Sequence, residues 1–253
     1  MAMMRTDTTS TRLTAFCMPH TVCCMQSVSR DHDWSTVQPR TREQAAYDML
    51  RQAIIAGRWQ PGEALVVSRI ASDIGMSRIP VTNAIKQLAS EGFIRMRPHQ
   101  EAVVASLVPS EVREIYLMRA ALEVLTIEEA VERVTDDDIA AIQALNRAIG
   151  DLAARPDGTI QELRRLDRTF HERIRDIAAM PKLSRTLLNL ADQCEYYRVS
   201  LLDTHHFAAP SAERHQPLID ALASRQVDQA RSVMRAHIIE GMDLILAAIS
   251  GTP

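Results

Sequence analysis

The forty residues from Val66 to Ala105 constrain the fold more than any other stretch, because two short amphipathic helices, a tight turn and an alternating hairpin follow one another there. Ile70, Ala71 and Ile74 share one face of a first helix beginning near Ser68. Gly75 ends that helix, since a residue without Cβ can take the positive φ that a helix stop favours. Ser77 is the candidate N-cap of a second helix, in which Val81, Ala84, Ile85, Leu88 and Ala89 follow the i, i+3, i+4, i+7 spacing of a buried face. Arg78, Thr82, Asn83 and Lys86 lie on the opposite face. Glu91-Gly92 closes the helix, Phe93 to Arg97 alternates as a strand, and Pro98-His99-Gln100-Glu101 turns the chain into Ala102 to Ala105. Upstream, Ala45, Ala46, Met49, Leu50, Ala53 and Ile54 predict a buttressing helix over Thr41 to Ala56, stopped by Gly57. The pattern predicts a winged helix-turn-helix.

A polar-faced helix beside a basic hairpin suits a major groove with phosphates alongside. Arg78 is the best-placed base-edge reader, and Arg95, Arg97 and His99 on the wing suit phosphate contacts, so a double-stranded DNA operator is the expected partner. Charge is divided accordingly. Residues 40–105 hold nine Lys/Arg and six Asp/Glu, a net of +3, whereas residues 106–253 carry a net of −6. Cys17, Cys23, Cys24 and Cys194 lack the spacing of a disulfide framework or of paired metal knuckles. No apolar run reaches membrane-spanning length, and Pro19-His20 interrupts the stretch that would serve as a signal-peptide core. A cytoplasmic protein with no membrane partner is expected. Residues 1–38, rich in Thr, Ser and Met, are expected to form a disordered extension.

Beyond Val108-Pro109-Ser110, with Ser110 as the expected cap, the pattern is helical throughout. Helices are predicted near 110–133, 136–154, 159–179, 182–204, 211–224 and 227–249, without strand pattern or internal repeat. The fold class is therefore mainly α: a winged helix-turn-helix over 39–106, then an antiparallel all-α bundle over 107–250.

Several polar residues fall on apolar faces of this bundle. Val227, Ala230, Met234, His237, Gly241, Leu244 and Ala248 form one stripe of the last helix. Ile160, Leu163, Asp167, Phe170, Ile174 and Ile177 form another, with His171 one turn after Asp167. His215 shares a face with Ala212, Leu218, Ile219 and Leu222. Any one core histidine is more simply a hydrogen-bonded packing residue. Three, with an aspartate offering an oxygen at i, i+4, make a divalent ion the better reading, and N and O donors suit Zn²⁺, Ni²⁺ or Mn²⁺. Arg119 points inward with Ile115, Leu122 and Thr126, either to a carboxylate effector or to an acidic residue of a neighbouring helix. Tyr196, Tyr197 and Arg198 are further candidates for that cavity.

The first half resembles the GntR family of bacterial regulators through Pro61-Gly62-Glu63-Ala64-Leu65, Ser77-Arg78-Ile79-Pro80-Val81, Ala84-Ile85, Leu88-Ala89-Ser90-Glu91-Gly92-Phe93 and Pro98. Thr82-Asn83 replaces the usual Arg-Glu of its recognition helix and Glu101 the usual wing Gly, so the family's half-site does not carry over. The second half resembles the FCD ligand-binding domain of one GntR subgroup: Asp167-Arg168-Thr169-Phe170-His171 matches D-x-x-F-H, His215 to Leu222 matches H-x-x-I-x-x-A-L, and Met234-Arg235-Ala236-His237 matches M-x-x-H. Met180-Pro181 stands where Asn-Pro is usual. The resemblance implies that Asp167, His171, His215 and His237 hold the metal, and that Arg119, in an R-x-x-L-E match with Glu123, faces the effector.

The expectation is a homodimeric transcriptional repressor released by a small organic acid bound at the metal, through a population shift that alters the spacing of its two DNA readers. The alternatives are a metal-dependent hydrolase that activates water at the three-His, one-Asp site, and a metal sensor proper. No inward general base stands apart from the ligands, which counts against hydrolysis.

Overall fold

The computed structural model describes residues 41–96, 101–201 and 211–251. The expected extension over 1–38 lies outside them, as do Cys17, Cys23 and Cys24, the wing residues Arg97 and His99, and the end of the helix predicted to reach 204.

Helix α1 (Arg42–Ile55) starts where the Thr41 hydroxyl accepts the Gln44 N–H at 3.1 Å. It packs its Ala46, Leu50 and Ile54 against α3 (Arg78–Ser90), which buries Val81, Ala84, Ile85 and Leu88. Between them α2 (Val67–Asp73) gives way to Gly75 at φ +66°, with no heavy atom within 4 Å of where a Cβ would stand. The glycine therefore serves backbone conformation rather than close approach. Ser77 occupies the N-cap position of α3, but its side chain makes no capping bond. The wing is shorter than its alternating sequence predicts: β2 (Ile94–Arg95) pairs with β3 (Ala102–Val104), Ile94 opposite Val104. A third strand, β1 (Ala64–Leu65), lies antiparallel on the other side of β3 and gives the order β1-β3-β2. Two residues are too few to carry a period, which is why the sequence pattern does not predict it.

The remaining described helices are α4 (Pro109–Arg133), α5 (Asp136–Ala153), α6 (Ile160–Ala178), α7 (Pro181–Leu201), α8 (Ser211–Ala223) and α9 (Val227–Ser250). Pro109, not Ser110, opens α4, because its fixed φ suits the first helical turn and its missing N–H is an orphan there anyway. Thr135 with Asp138 and Thr159 with Glu162 close reciprocal capping boxes on α5 and α6. Helix α4 is central, in contact with α6, α7, α8 and α9. The buried line of α9 runs through Ala230, Met234, Ile238, Met242 and Ile245, so in its second half it turns away from the predicted Gly241, Leu244 and Ala248. The 3.6-residue period accumulates this rotation over six turns. No described helix is long and apolar enough to cross a membrane.

Residues Arg40–Pro253 form one compact unit, and polar contacts cross from α1 and the wing to α7. Tyr196 donates to the Ala105 carbonyl at 2.9 Å. Arg51 of α1 reaches Asp192 of α7 through Nε at 3.0 Å and Nη2 at 2.9 Å. On its other side Arg51 meets Glu91, at the end of α3, at 3.2 Å, and Tyr47 donates to the same carboxylate at 2.7 Å. Gly57 sits at this joint with φ +75°, and a Cβ there would stand 2.8 Å from Val199 Cγ1.

The turn into α7 holds an identifiable strain. Ala179, exposed at the end of α6, has φ 53° and ψ 39°, a left-handed conformation that costs an L-residue roughly 1–2 kcal/mol. Ala179→Gly should therefore stabilise the fold by about 0.5–1 kcal/mol despite the entropy that glycine adds to the unfolded chain. Urea unfolding checks this, and an unchanged or lower midpoint would count against strain at Ala179.

Candidate metal and effector site

The chain puts three imidazoles in one small volume because three helices turn an apolar face to the same place. Asp167 and His171 come from α6, His215 from α8 and His237 from α9. One ring nitrogen of each histidine lies within 4.8 Å of the others, and Nε2 of His171 and of His237 are 3.3 Å apart. Asp167 Oδ1 is 3.4 Å from His215 Nε2, off the line of a hydrogen bond. His215 is wholly buried, and Phe170 stacks on its ring at 4.0 Å with 9° between planes, which fixes its orientation. Among the described residues, Nδ1 of all three histidines and Nε2 of His215 are buried without a hydrogen-bond partner. Four orphaned nitrogens in one apolar interior need an explanation.

The electrostatics run the same way. Burial, then the neighbouring His215, hold His237 down to about 3 against the partial upward pull of Asp167. Burial likewise drives His171 well below the ordinary imidazole range. Burial would push the Asp167 carboxyl up, but His215 and Arg198 outweigh it and hold the group far below the usual carboxylate range. His171 and His237 are thus held neutral beside an ionised Asp167, the protonation states in which these groups act as metal ligands.

Beside the cluster lies a cavity of about 230 Å³, whose wall includes Asp167, His171, Arg119, Glu195 and Arg198. Ile55 of α1 also lines it, so the DNA-reading half contributes to the wall. Arg119 is buried as expected, but its acidic neighbour is Glu123 on its own helix, Nε to Oε1 at 3.4 Å, rather than a residue of another helix. Arg198 lies 2.8 Å from Glu195 and 3.7 Å from Asp167. Tyr197 is buried away from this wall, where the charges of Glu111 and Arg95 act on its hydroxyl, and Tyr196 is committed to Ala105. Arg164, Arg168 and Arg175 line the cavity and have no place in the sequence reading. The signal was available: 164, 168, 171 and 175 continue the three-and-four spacing through Asp167 and His171.

Of the residues expected on DNA, Arg78 and Lys86 are exposed on α3. Thr82 turns its hydroxyl back to the Arg78 carbonyl at 2.8 Å, Asn83 donates to Glu43 at 2.5 Å, and Arg95 is paired with Glu111. Ile79, next to Arg78 and 70 % exposed, is a large apolar side chain presented to solvent at the start of the helix.

The depressed imidazoles predict a pH dependence for metal-free protein. Their folded pKa lies below the unfolded value of about 6.5, so the stability they confer is complete above that pH and is lost as pH falls toward about 3. Each withdraws at most about 1.4 kcal/mol per pH unit over that window. Thermal melts in chelator from pH 7.5 to 5 should fall more steeply for the native sequence than for His171→Gln/His237→Gln, and parallel profiles would refute the assignment.

Comparison with known proteins matches both halves of this architecture. The family model described as bacterial regulatory proteins, gntR family, matches residues 42–104, and the FCD domain model matches residues 114–240. The Nta operon transcriptional regulator of Aminobacter aminovorans is 25% identical over 200 residues, covering 78% of this chain and 91% of that protein. The HTH-type transcriptional repressor GlaR of Escherichia coli is 26% identical over 226 residues, covering 81% and 96%. The solved structure of E. coli McbR/YncC superposes with a TM-score of 0.68 at 21% identity, over 81% of this chain and 97% of that one, and so shares the fold. With both halves matched in order, the chain belongs to the GntR family of bacterial regulatory proteins, in the subgroup with an FCD domain, and is a DNA-binding transcriptional regulator rather than an enzyme.

Proposed function

We propose that the protein is a homodimeric repressor with a DNA reader over 39–106 and a ligand-binding domain over 107–250, released from its operator by a small organic acid held at a divalent ion. The observation that carries the reading is the convergence of His171, His215 and His237 beside Asp167, with one ring nitrogen of each within 4.8 Å of the others and Nε2 of His215 buried without a hydrogen-bond partner among the described residues. The donor set fits. Two imidazoles about 2.0–2.1 Å from one tetrahedral ion stand roughly 3.3–3.4 Å apart, in line with the 3.3 Å between His171 and His237 Nε2. The ion, a Zn²⁺, Ni²⁺ or Mn²⁺, supplies positive charge and open coordination positions to the adjoining cavity.

Arg119 then offers the effector carboxylate a buried guanidinium, and a charge-assisted bond there is worth more than at the surface. Transmission has a physical route. Arg168, next to Asp167 in sequence and exposed along the cavity wall, holds Asp192 Oδ1 at 2.5 Å, while Oδ2 of the same carboxylate holds Arg51 of the reader. An anion that draws Arg168 toward the cavity alters how Asp192 holds Arg51, and with it Glu91 at the end of α3. Repression is supported by the name of the GlaR relative. Dimerisation is supported by Leu117, Met118 and Leu125, exposed at 36 to 46 % on α4.

Three outcomes test the reading. Purified protein should hold about one divalent ion per chain, and His215→Ala should lose most of it. Absence of metal from carefully prepared protein, with no thermal stabilisation on adding Zn²⁺, Ni²⁺ or Mn²⁺, would refute the site. Arg119→Ala should retain metal and operator affinity but ignore effector, because Arg175 still faces Glu123 in the unliganded state while the liganded state loses the effector's own partner; a response at the wild-type concentration in operator-release titrations would remove Arg119 from the site. Arg78→Ala should lose discrimination between operator and random duplex, a base contact being worth about 1–3 kcal/mol, and an unchanged ratio in shift assays would refute that placement.

A further inference from the structure

We propose that the cavity takes a ligand bearing two anionic groups, and that Arg175 receives the second. The inference deepens the effector reading above and rests on it for the place of the first group, at the ion and Arg119.

Six arginines line the cavity, Arg119, Arg164, Arg165, Arg168, Arg175 and Arg198, against two carboxylates, Asp167 and Glu195. Three have close acidic partners. Arg164 and Arg198 lie 3.3 and 2.8 Å from Glu195, and Arg168 is held by Asp192 and Glu172. Arg175 differs. Its side chain is 4 % exposed, its Nη1 is buried with no hydrogen-bond partner among the described residues, and Glu123 Oε1 stands 3.6 Å away. That same oxygen is the one 3.4 Å from Arg119, so two buried guanidiniums lean on one carboxylate oxygen at distances too long for good bonds. Glu172, 4.0 Å from Nη2, is hydrogen-bonded to Arg168. A buried guanidinium with so little compensation is costly to keep, and burial accordingly pulls its pKa down.

Position makes the donor useful. Arg175 is one helical turn beyond His171 on the same face of α6, which places its Cα about 6 Å further along the axis. A first anion at the ion and a second at Arg175 are thus separated by a short spacer of a few carbons, in keeping with a cavity of about 230 Å³. A monoanion of the same size leaves Arg175 as it stands in the structure. The chemistry is shared by short dicarboxylates and by phosphorylated acids.

Calorimetric titration of the metal-loaded full chain tests this with matched pairs: succinate against butyrate, L-malate against 2-hydroxybutyrate, and 3-phosphoglycerate against glycerate. At least one dianion should bind about tenfold or more tightly than its monoanionic partner, as one added charge-assisted bond implies. Preference confined to the first two pairs identifies a dicarboxylate, and preference confined to the third a phosphorylated acid. Arg175→Gln should remove the preference, lowering the affinity for the ligand with two anionic groups far more than that for its partner, while leaving metal content unchanged, and Arg175→Lys should restore part of it. The ligand pairs decide the matter even if Arg175→Gln does not fold, because they need only the native chain. Metal-loaded protein that treats every pair alike would overturn the second subsite and leave the metal reading intact. Dianion preference in a chain that binds no metal would do the reverse, and metal-loaded protein that binds none of the acids would overturn the acid-effector reading and the second subsite together.

Discussion

Three imidazoles and a carboxylate enclosed by apolar helices set the terms for the FCD half of this protein. His215 is wholly buried, Asp167 and His171 nearly so, and none of the three Nδ1 atoms has a partner among the described residues. Such groups cannot simply be left in a packed interior, because each unsatisfied donor or acceptor costs on the order of 1–3 kcal/mol. The arginines, the acidic residues of α7 and the buried Glu123 follow from the same requirement. An ionised Asp167 needs cations nearby, and those cations in turn need carboxylates, so charge compensation spreads outward until it reaches solvent at Arg168 and Glu172.

That outward spread is what ties chemistry in the bundle to geometry in the reader. Asp192 is buried and shared, one oxygen facing Arg168 of α6 and the other Arg51 of α1. Arg51 also stacks over the Phe93 ring at 5.1 Å, so its position is registered by both packing and charge. The joint is therefore polar and close-fitting at these contacts, while the buried apolar residues of reader and bundle run on as one cluster. Gly57 sharpens the fit, since the approach of Val199 leaves no room for a side chain there.

Much of this could be read from the sequence, and the exceptions have a common cause. The DNA reader was legible because Gly75 and the period-3.6 spacing of Val81, Ala84, Ile85 and Leu88 act locally. The histidines were legible because a polar residue on an apolar stripe stands out. Glu123 and Asp192 were not, since a charged residue on an amphipathic helix defaults to the solvent face, and only the packing of α4, α6 and α7 against one another shows them buried; Arg175 had only its spacing from His171 to mark it. Tyr197 lies off the wall of this cavity for the converse reason: adjacency in sequence to Arg198 says nothing about which side of α7 faces the cavity, and consecutive helical residues point about 100° apart. The β1 strand was too short to have a pattern at all.

Ile55 gives this arrangement a consequence that reaches beyond the bundle. A residue of the reader's own first helix forms part of the cavity wall, so any rearrangement that DNA imposes on α1 is also a change in the shape of the ligand's container. Linkage makes such an influence symmetric: whatever factor the small molecule applies to operator affinity, the operator applies to the affinity for the small molecule. For the effector proposed above, operator DNA is in that sense a reciprocal effector, and the concentration at which the ligand half-fills the cavity would differ between DNA-bound and free protein.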